Sequence, residues 1–247
     1  MQPDFERQVQ ELADLLRHSQ RTVVLTGAGI STESGIPDFR TPGSGLWSKV
    51  DPMEILSVTA MHTDPKRFYD FKIPLWRTFN AAQPNAGHIA LAELESMGRV
   101  RCVVTQNIDS LHTRAGSQNV LEVHGHMRTG RCMRCHEHVP FEILAERVEG
   151  GQVPPKCDCG GILRPDVVLF EDMLPEAFQD AVREAMSCDL LLVIGSSLEV
   201  SPANTLADYP AKLAILNVGP TVYDRRADWL CRAKAGEFLP KVVEALR

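Results

Sequence analysis

The 247 residues contain no apolar run of about 18, the length a membrane-crossing helix needs. There is no internal repeat, low-complexity tract or linker-like stretch. Nor is there an excess of basic residues: 26 Lys and Arg against 32 Asp and Glu give a net charge of −6. That balance argues against general nucleic-acid binding, which needs a basic surface, and mildly favours cationic partners such as lysine-bearing peptides. Residues 1–20 lack the apolar centre of an export signal and carry charges at amphipathic helical spacing, so a cytoplasmic location and no membrane partner are the expectation. With 44% hydrophobic residues, the chain can bury a full core as one large domain or one domain with an insertion.

Phe5, Val9, Leu12, Leu15 and Leu16 recur at helical spacing, and a strand is expected over 21–26. Gly27-Ala28-Gly29 follows, a tight turn able to present N–H groups to a phosphate. The third glycine of a dinucleotide fingerprint is missing, because Thr32 stands in its place and Gly35 comes three residues later. Further apolar strands are expected over 100–105, 120–123, 190–194 and 213–218, with helical patterns over 88–97 and 175–186. Alternating strands and helices, with strands apolar on both faces, predict an α/β fold: a parallel sheet with helices on both faces. Residues 41–84, rich in Pro, aromatic and polar residues, and residues 127–164, with most of the cysteines, break the alternation and are expected to form a smaller second module.

Of seven cysteines, Cys102, Cys188 and Cys231 sit in apolar surroundings and are expected to be buried. The other four form two close pairs, Cys132-x-x-Cys135 and Cys157-x-Cys159, the usual supply of ligands for a tetrahedral zinc. Four thiolates would leave no open position for water, so the metal would be structural. Redox thiols or unliganded cysteines are the other reading. His136 and His138 are expected to be exposed polar residues.

At the end of the strand over 100–105 comes Gln106-Asn107-Ile108-Asp109, where an open parallel sheet lines its ligand crevice and such residues can bind sugar hydroxyls and an amide. His124 follows the strand over 120–123 and can serve as a general base near neutral pH or as ordinary hydrogen-bonded structure.

These motifs, in this order, resemble the sirtuin family of NAD-dependent protein deacylases. The resemblance rests on Gly27-Ala28-Gly29-Ile30-Ser31, Gly35-Ile36-Pro37-Asp38-Phe39-Arg40, Thr105-Gln106-Asn107-Ile108-Asp109, Leu111-His112-Thr113-Arg114-Ala115-Gly116 and His124-Gly125. It continues through the cysteine pairs, residues 163–170, Gly195-Ser196-Ser197-Leu198, Asn217 and Ala235-Gly236-Glu237. The compact length is similar to bacterial or archaeal members.

The resemblance implies a Rossmann-like NAD-binding domain over 1–40, 85–126 and 165–247, plus a small domain from two insertions: a helical and cofactor-loop module over 41–84 and a zinc module over 127–164. It implies NAD as co-substrate and one structural zinc. Gly27, Ala28, Gly29, Asp38, Phe39 and Arg40 would lie over the NAD phosphates and nicotinamide ribose. Ile30, Gln106, Asn107, Ile108 and Asp109 would hold the nicotinamide end, and Gly195, Ser196, Ser197, Asn217, Val218 and Ala235 the adenosine half. An acyl-lysine peptide would pair with Val168, Leu169 and Phe170 and be deacylated with His124 as base and Asn107 assisting, releasing nicotinamide, lysine and O-acyl-ADP-ribose.

The chain departs from the family pattern twice. Glu171 stands where many members have glycine, placing a carboxylate near the peptide or out in solvent. Tyr69 and Lys72 are similar to the Tyr-x-x-Arg pair that holds succinyl groups in some members, but lysine lacks the planar fork that clamps a carboxylate, so acetyl is the expected acyl group. Mono-ADP-ribosyl transfer, removal of longer acyl groups, and NAD sensing without turnover are the competing readings.

Overall fold

The computed structural model describes residues 3–38 and 51–247. In chain order they form α1 (Pro3–His18), β1 (Thr22–Thr26), a 3-10 turn over Ala28–Ser34, α2 (Pro52–Leu56), α3 (Val58–Thr63), α4 (Pro65–Ala81), α5 (Ala86–Ser96) and β2 (Cys102–Thr105). Then come α6 (Leu111–Ala115), β3 (Val120–Glu122), β4 (Gly125–Cys132), β5 (His138–Pro140), α7 (Phe141–Glu149) and β6 (Leu163–Val167). The chain closes with α8 (Glu176–Ser187), β7 (Leu190–Ile194), a second 3-10 turn over Ala203–Asp208, β8 (Lys212–Leu216), β9 (Trp229–Cys231) and α9 (Ala235–Leu246).

Six strands make one parallel sheet in the order β3-β2-β1-β7-β8-β9, in register with Val24 opposite Val103 on one side and Leu192 on the other. Successive side chains alternate faces, so each apolar strand feeds two cores. Val24, Val103, Leu192 and Leu216 pack under α1, α5 and α9, whereas Val23, Leu25, Val104, Leu191 and Ile215 pack against α8 and the second 3-10 turn. The order reverses between β1 and β7, the place where open α/β sheets bind ligands beyond the strands' carboxyl ends.

Local signals set the helix ends. Asp51, Ser57 and Asp64 cap α2, α3 and α4 with their side chains, and Pro follows Asp at the start of α2 and α4. Asn85 caps α5 by accepting from Gly87 N and His88 N, while His88 Nδ1 accepts from Asn85 N.

The second module has its own core, in which Ile55, Met61, Phe68, Tyr69, Phe79, Phe141, Leu144 and Leu163 meet. Its antiparallel sheet, ordered β5-β4-β6, begins at Gly125 and ends at Val167, which pair with each other. The sheet therefore reaches slightly past 127–164 on both sides, because β4 starts directly after β3 with no linker. No described helix is long and apolar enough to cross a membrane. Cys102, Cys188 and Cys231 are buried, and the described cysteines are all free thiols.

Gly195 ends β7 at φ 63°, and a Cβ there would lie 2.3 Å from Ile30 N. We expect Gly195→Ala to cost about 3 kcal/mol, left-handed strain and overpacking together. Urea unfolding followed by circular dichroism measures it; a loss under about 1 kcal/mol would contradict the packing described.

Candidate functional site

The turn after β1 does not end in an α-helix. Gly27 N–H donates to Ile194 O at 3.0 Å and Gly29 N–H to Gly195 O at 2.8 Å, so both groups are satisfied inside the protein. The expectation that the two glycines offer their N–H groups to a phosphate is corrected accordingly. A Cβ on Gly29 would fall 2.8 Å from Gly195 Cα, which makes glycine here a condition for two backbones to touch. Glu33, at the end of the 3-10 turn, accepts from Gly236 N at 2.8 Å and ties the turn to α9.

That turn carries Ser31 into the interior, where it joins the residues following β2. Ser31 Oγ donates to Asp109 Oδ2 at 2.7 Å and accepts from Asn107 Nδ2 at 3.2 Å. Asn107 Nδ2 also donates to Gly27 O at 3.1 Å, and Asp109 Oδ1 accepts from Leu111 N at 2.9 Å. Asn107 and Asp109 are only 7% and 8% exposed. Burial pushes the Asp109 carboxyl up, against the pull of the Leu111 and Ser31 hydrogen bonds. Behind them, Thr26 Oγ1 donates to Thr105 Oγ1 and meets His112 Nε2, and the His112 ring lies 4.8 Å from that of His88. Burial lowers both histidines, His88 to about 4. Ser31 and His112 stand in the motifs that carry the resemblance without an assigned role, and Thr26 and His88 figure there only as parts of a strand and a helix. A serine two residues after a Gly-x-Gly reads as turn, and only the fold brings these four together.

His124 sits just past β3. Its ring Nδ1 lies 3.0 Å from Gln106 O; assigned as the N–H donor to that carbonyl, it leaves Nε2 as an acceptor. Burial lowers its pKa, partly opposed by the Gln106 bond, so the ring is neutral near pH 7.

Gln106 Nε2 donates to Ser196 Oγ at 3.1 Å, joining the Asn107 cluster to the loop after β7. Ser197 follows there, its carbonyl accepting from Val222 N. After β8, Asn217 Nδ2 donates to Gly219 O, and Val218 is 66% exposed. Ala28 and Asp38 are half-buried. Ile30 is fully buried in the core under α1, α5 and α9, Ala235 packs on Gly87 of α5, and Ile108 is partly buried against the second module's core. Phe39 and Arg40 lie outside the described residues.

Residues 27–202 match the model of the Sir2 family. The chain belongs to the Sir2 family. It is 49% identical over 240 residues to NAD-dependent protein deacetylase 2 of Caldanaerobacter subterraneus subsp. tengcongensis, covering 97% of this chain and 96% of that one. It is 43% identical over 249 residues to NAD-dependent protein deacylase 2 of Archaeoglobus fulgidus, covering 98% of each. A Sir2 structure with deacetylated p53 peptide and 3'-O-acetyl ADP-ribose superposes with a TM-score of 0.92 at 38% identity, covering 96% of this chain and 98% of that one. A Sir2 complex with p53 peptide and NAD+ gives 0.88 at 37% identity, over 96% and 98%.

In this sirtuin the expected peptide segment runs beside the histidine, with Val168 N–H donating to His124 O at 2.9 Å. Phe170 is 42% exposed, whereas Leu169 turns its side chain into the second module, and its N–H and C=O are both bonded to Asp172. Tyr69 and Lys72 are placed differently from the substrate role expected of them. Tyr69 OH is committed to Leu163 O at 2.6 Å, and the Lys72 amine lies 5.9 Å over the Phe68 ring. Burial, with Arg164 nearby, lowers Lys72 to about 7.

The four clustered cysteines converge, every Sγ within 4.8 Å of the others. Arg134 N–H points at Cys132 Sγ and Gly161 N–H at Cys159 Sγ, donors that suit thiolates, and a Cβ on Gly161 would fall 2.5 Å from Cys132 Sγ. The short Cys157-x-Cys159 spacing works because Cys157 C=O accepts from Gly160 N, closing a turn. His136 is exposed, and His138 is engaged with Asp166 at 2.9 Å. Four sulfurs so placed fit a tetrahedral zinc with no open position. Purified protein should carry one zinc per chain by elemental analysis, and Cys159→Ala should lose the metal and lower the melting temperature.

Proposed function

We propose that this Sir2-family enzyme is an NAD-dependent protein lysine deacylase that prefers small acyl groups such as acetyl, with His124 as the general base. NAD enters as co-substrate, supplying a glycosidic bond whose cleavage releases nicotinamide and exposes a ribose carbon to the acyl oxygen. The chain's residues divide the remaining work. Asn107 and Asp109, held by Ser31, present a buried amide and carboxyl suited to a carboxamide and its ribose. Gln106, Ser196, Ser197 and Asn217 offer polar groups along the carboxyl ends of β2, β7 and β8, for the rest of the dinucleotide. Val168 to Phe170 gives the peptide a fixed segment to lie against, with the Val168 C=O to accept from it and the exposed Phe170 side chain to cover it, one hydrogen bond from His124.

The observation that carries this reading is the state of His124. With Nδ1 satisfied by Gln106 O and burial disfavouring the imidazolium, Nε2 is an acceptor ready to take a ribose hydroxyl proton. A protein that only sensed NAD would need no such base. The partners are acyl-lysine proteins or peptides, and the −6 charge suits lysine-rich ones. The cytoplasm is the proposed place of work, and the zinc holds the second module without touching the chemistry.

His124→Ala should lower peptide deacylation by roughly two to four orders of magnitude while the circular dichroism spectrum stays native. Mass spectrometry of the wild-type reaction should show O-acyl-ADP-ribose; ADP-ribosylated protein in its place would indicate transferase activity. Because the base form of a histidine with lowered pKa persists in more acid solution, the acid limb of kcat/KM should lie below pH 6.5. A limb at or above that value would count against His124 as base. Lys72, held toward neutral by burial, is a poor partner for a succinyl carboxylate, so one peptide in acetyl and succinyl form should be turned over faster as acetyl. Faster succinyl removal would overturn that preference.

A further inference from the structure

Glu171 adopts φ 75°, the left-handed region that glycine enters freely and that residues with a Cβ avoid. Such a conformation persists where surrounding bonds over-determine it. Here the fixing bonds are visible: Glu171 Oε2 accepts from both the amide N and Oγ1 of Thr59, each at 2.8 Å, in the first turn of α3. A carboxylate on a free backbone donor is charge-assisted and stronger than a neutral pair.

The neighbouring bonds run in the same direction. Phe170 N–H donates to Leu56 O at 2.9 Å and Phe170 C=O accepts from Val58 N at 3.1 Å, stitching the segment to the α2–α3 junction. Asp172 takes Leu169 N–H at 2.8 Å and grips the Arg164 guanidinium with both carboxylate oxygens. Val168 to Phe170 is thereby strung between His124 at one end and α3 at the other. A glycine at 171 would satisfy the turn but remove the side-chain tether, leaving only the Phe170 backbone bonds to hold that end.

We propose that Glu171 is a positioning residue for the acyl-peptide: its bonds to Thr59 hold Val168 to Phe170 in the line a substrate backbone pairs with, so peptide affinity depends on it and the chemical step does not. The inference rests on the deacylase reading and narrows it to one residue of this chain. Its carboxylate, on an otherwise exposed residue, is engaged by α3.

Steady-state kinetics with one acetyl-lysine peptide and NAD separate the two statements. A wild-type protein without turnover would sink the deacylase reading itself. Given turnover, Glu171→Gly, which keeps the backbone conformation and removes the tether, should raise the peptide KM about fivefold, with kcat and the KM for NAD within about twofold of wild type. Thr59→Val, which removes only the hydroxyl donor, should give a smaller rise in the same direction. Glu171→Gln, whose amide oxygen still accepts from Thr59, should return the KM to within about twofold of wild type. Hydrogen exchange gives a readout apart from activity: the Thr59 amide should exchange faster in Glu171→Gly and not in Glu171→Gln. An unchanged peptide KM in Glu171→Gly, or an equal rise in Glu171→Gln, would overturn the proposal.

Discussion

Everything at the site depends on two backbones touching. Gly29 N–H meets Gly195 O at 2.8 Å where the loops after β1 and β7 cross, and neither position has room for a Cβ. The strand-order reversal brings these loops together; glycine lets them close. Because the crossing is this tight, the 3-10 turn is pressed inward and Ser31 ends fully buried, within reach of Asn107 and Asp109. A looser crossing would leave Asn107 and Asp109 buried without their shared partner, which is costly for a polar group away from water.

The cluster that results is rich in hydrogen bonds and poor in charge. Burial raises the Asp109 pKa and lowers those of His88 and His112, and at His112 the neighbouring His88 ring, 4.8 Å away, adds to the effect. Low local dielectric strengthens each remaining hydrogen bond. A pocket of this kind binds a neutral amide by directed donors and acceptors rather than by attraction of opposite charge. His124 stands at its edge by the same logic: burial disfavours its charged form, and the Gln106 carbonyl orients it.

The sheet was legible because β1, β2, β7 and β8 are buried on both faces, the exposed Lys212 at the start of β8 excepted, and are therefore largely apolar. β9 was not, since three residues, Trp229 to Cys231, carry no period. Asp51-Pro52 and Asp64-Pro65 are ordinary helix starts, and they bound the helices of the first insertion. The residues after β2 and His124 could be singled out because strand ends in parallel sheets are ligand positions. Their partner Ser31 could not, because its role exists only once Gly29 meets Gly195. Tyr69 and Lys72 show the converse: a sequence likeness pointed to a substrate contact, and packing turned the tyrosine hydroxyl onto Leu163.

The second module's influence on the chemistry has a definite route. β4 begins at Gly125, next to His124, and ends at Cys132, one of the four clustered thiols. Eight residues of extended strand, seven steps of about 3.4 Å, put those ends roughly 24 Å apart, too far for a metal on the cysteines to act on bound substrate. β4 pairs with β6 in register from Cys132 opposite Leu163 to Gly130 opposite Pro165, the register then shifts before Gly125 meets Val167, and β6 leads straight into Val168, whose N–H donates to His124 O. Arg164, in the middle of β6, holds Asp172 beyond the peptide segment. The cysteine cluster therefore sits at one end of the β4–β6 pair, and His124, bonded to Val168, at the other.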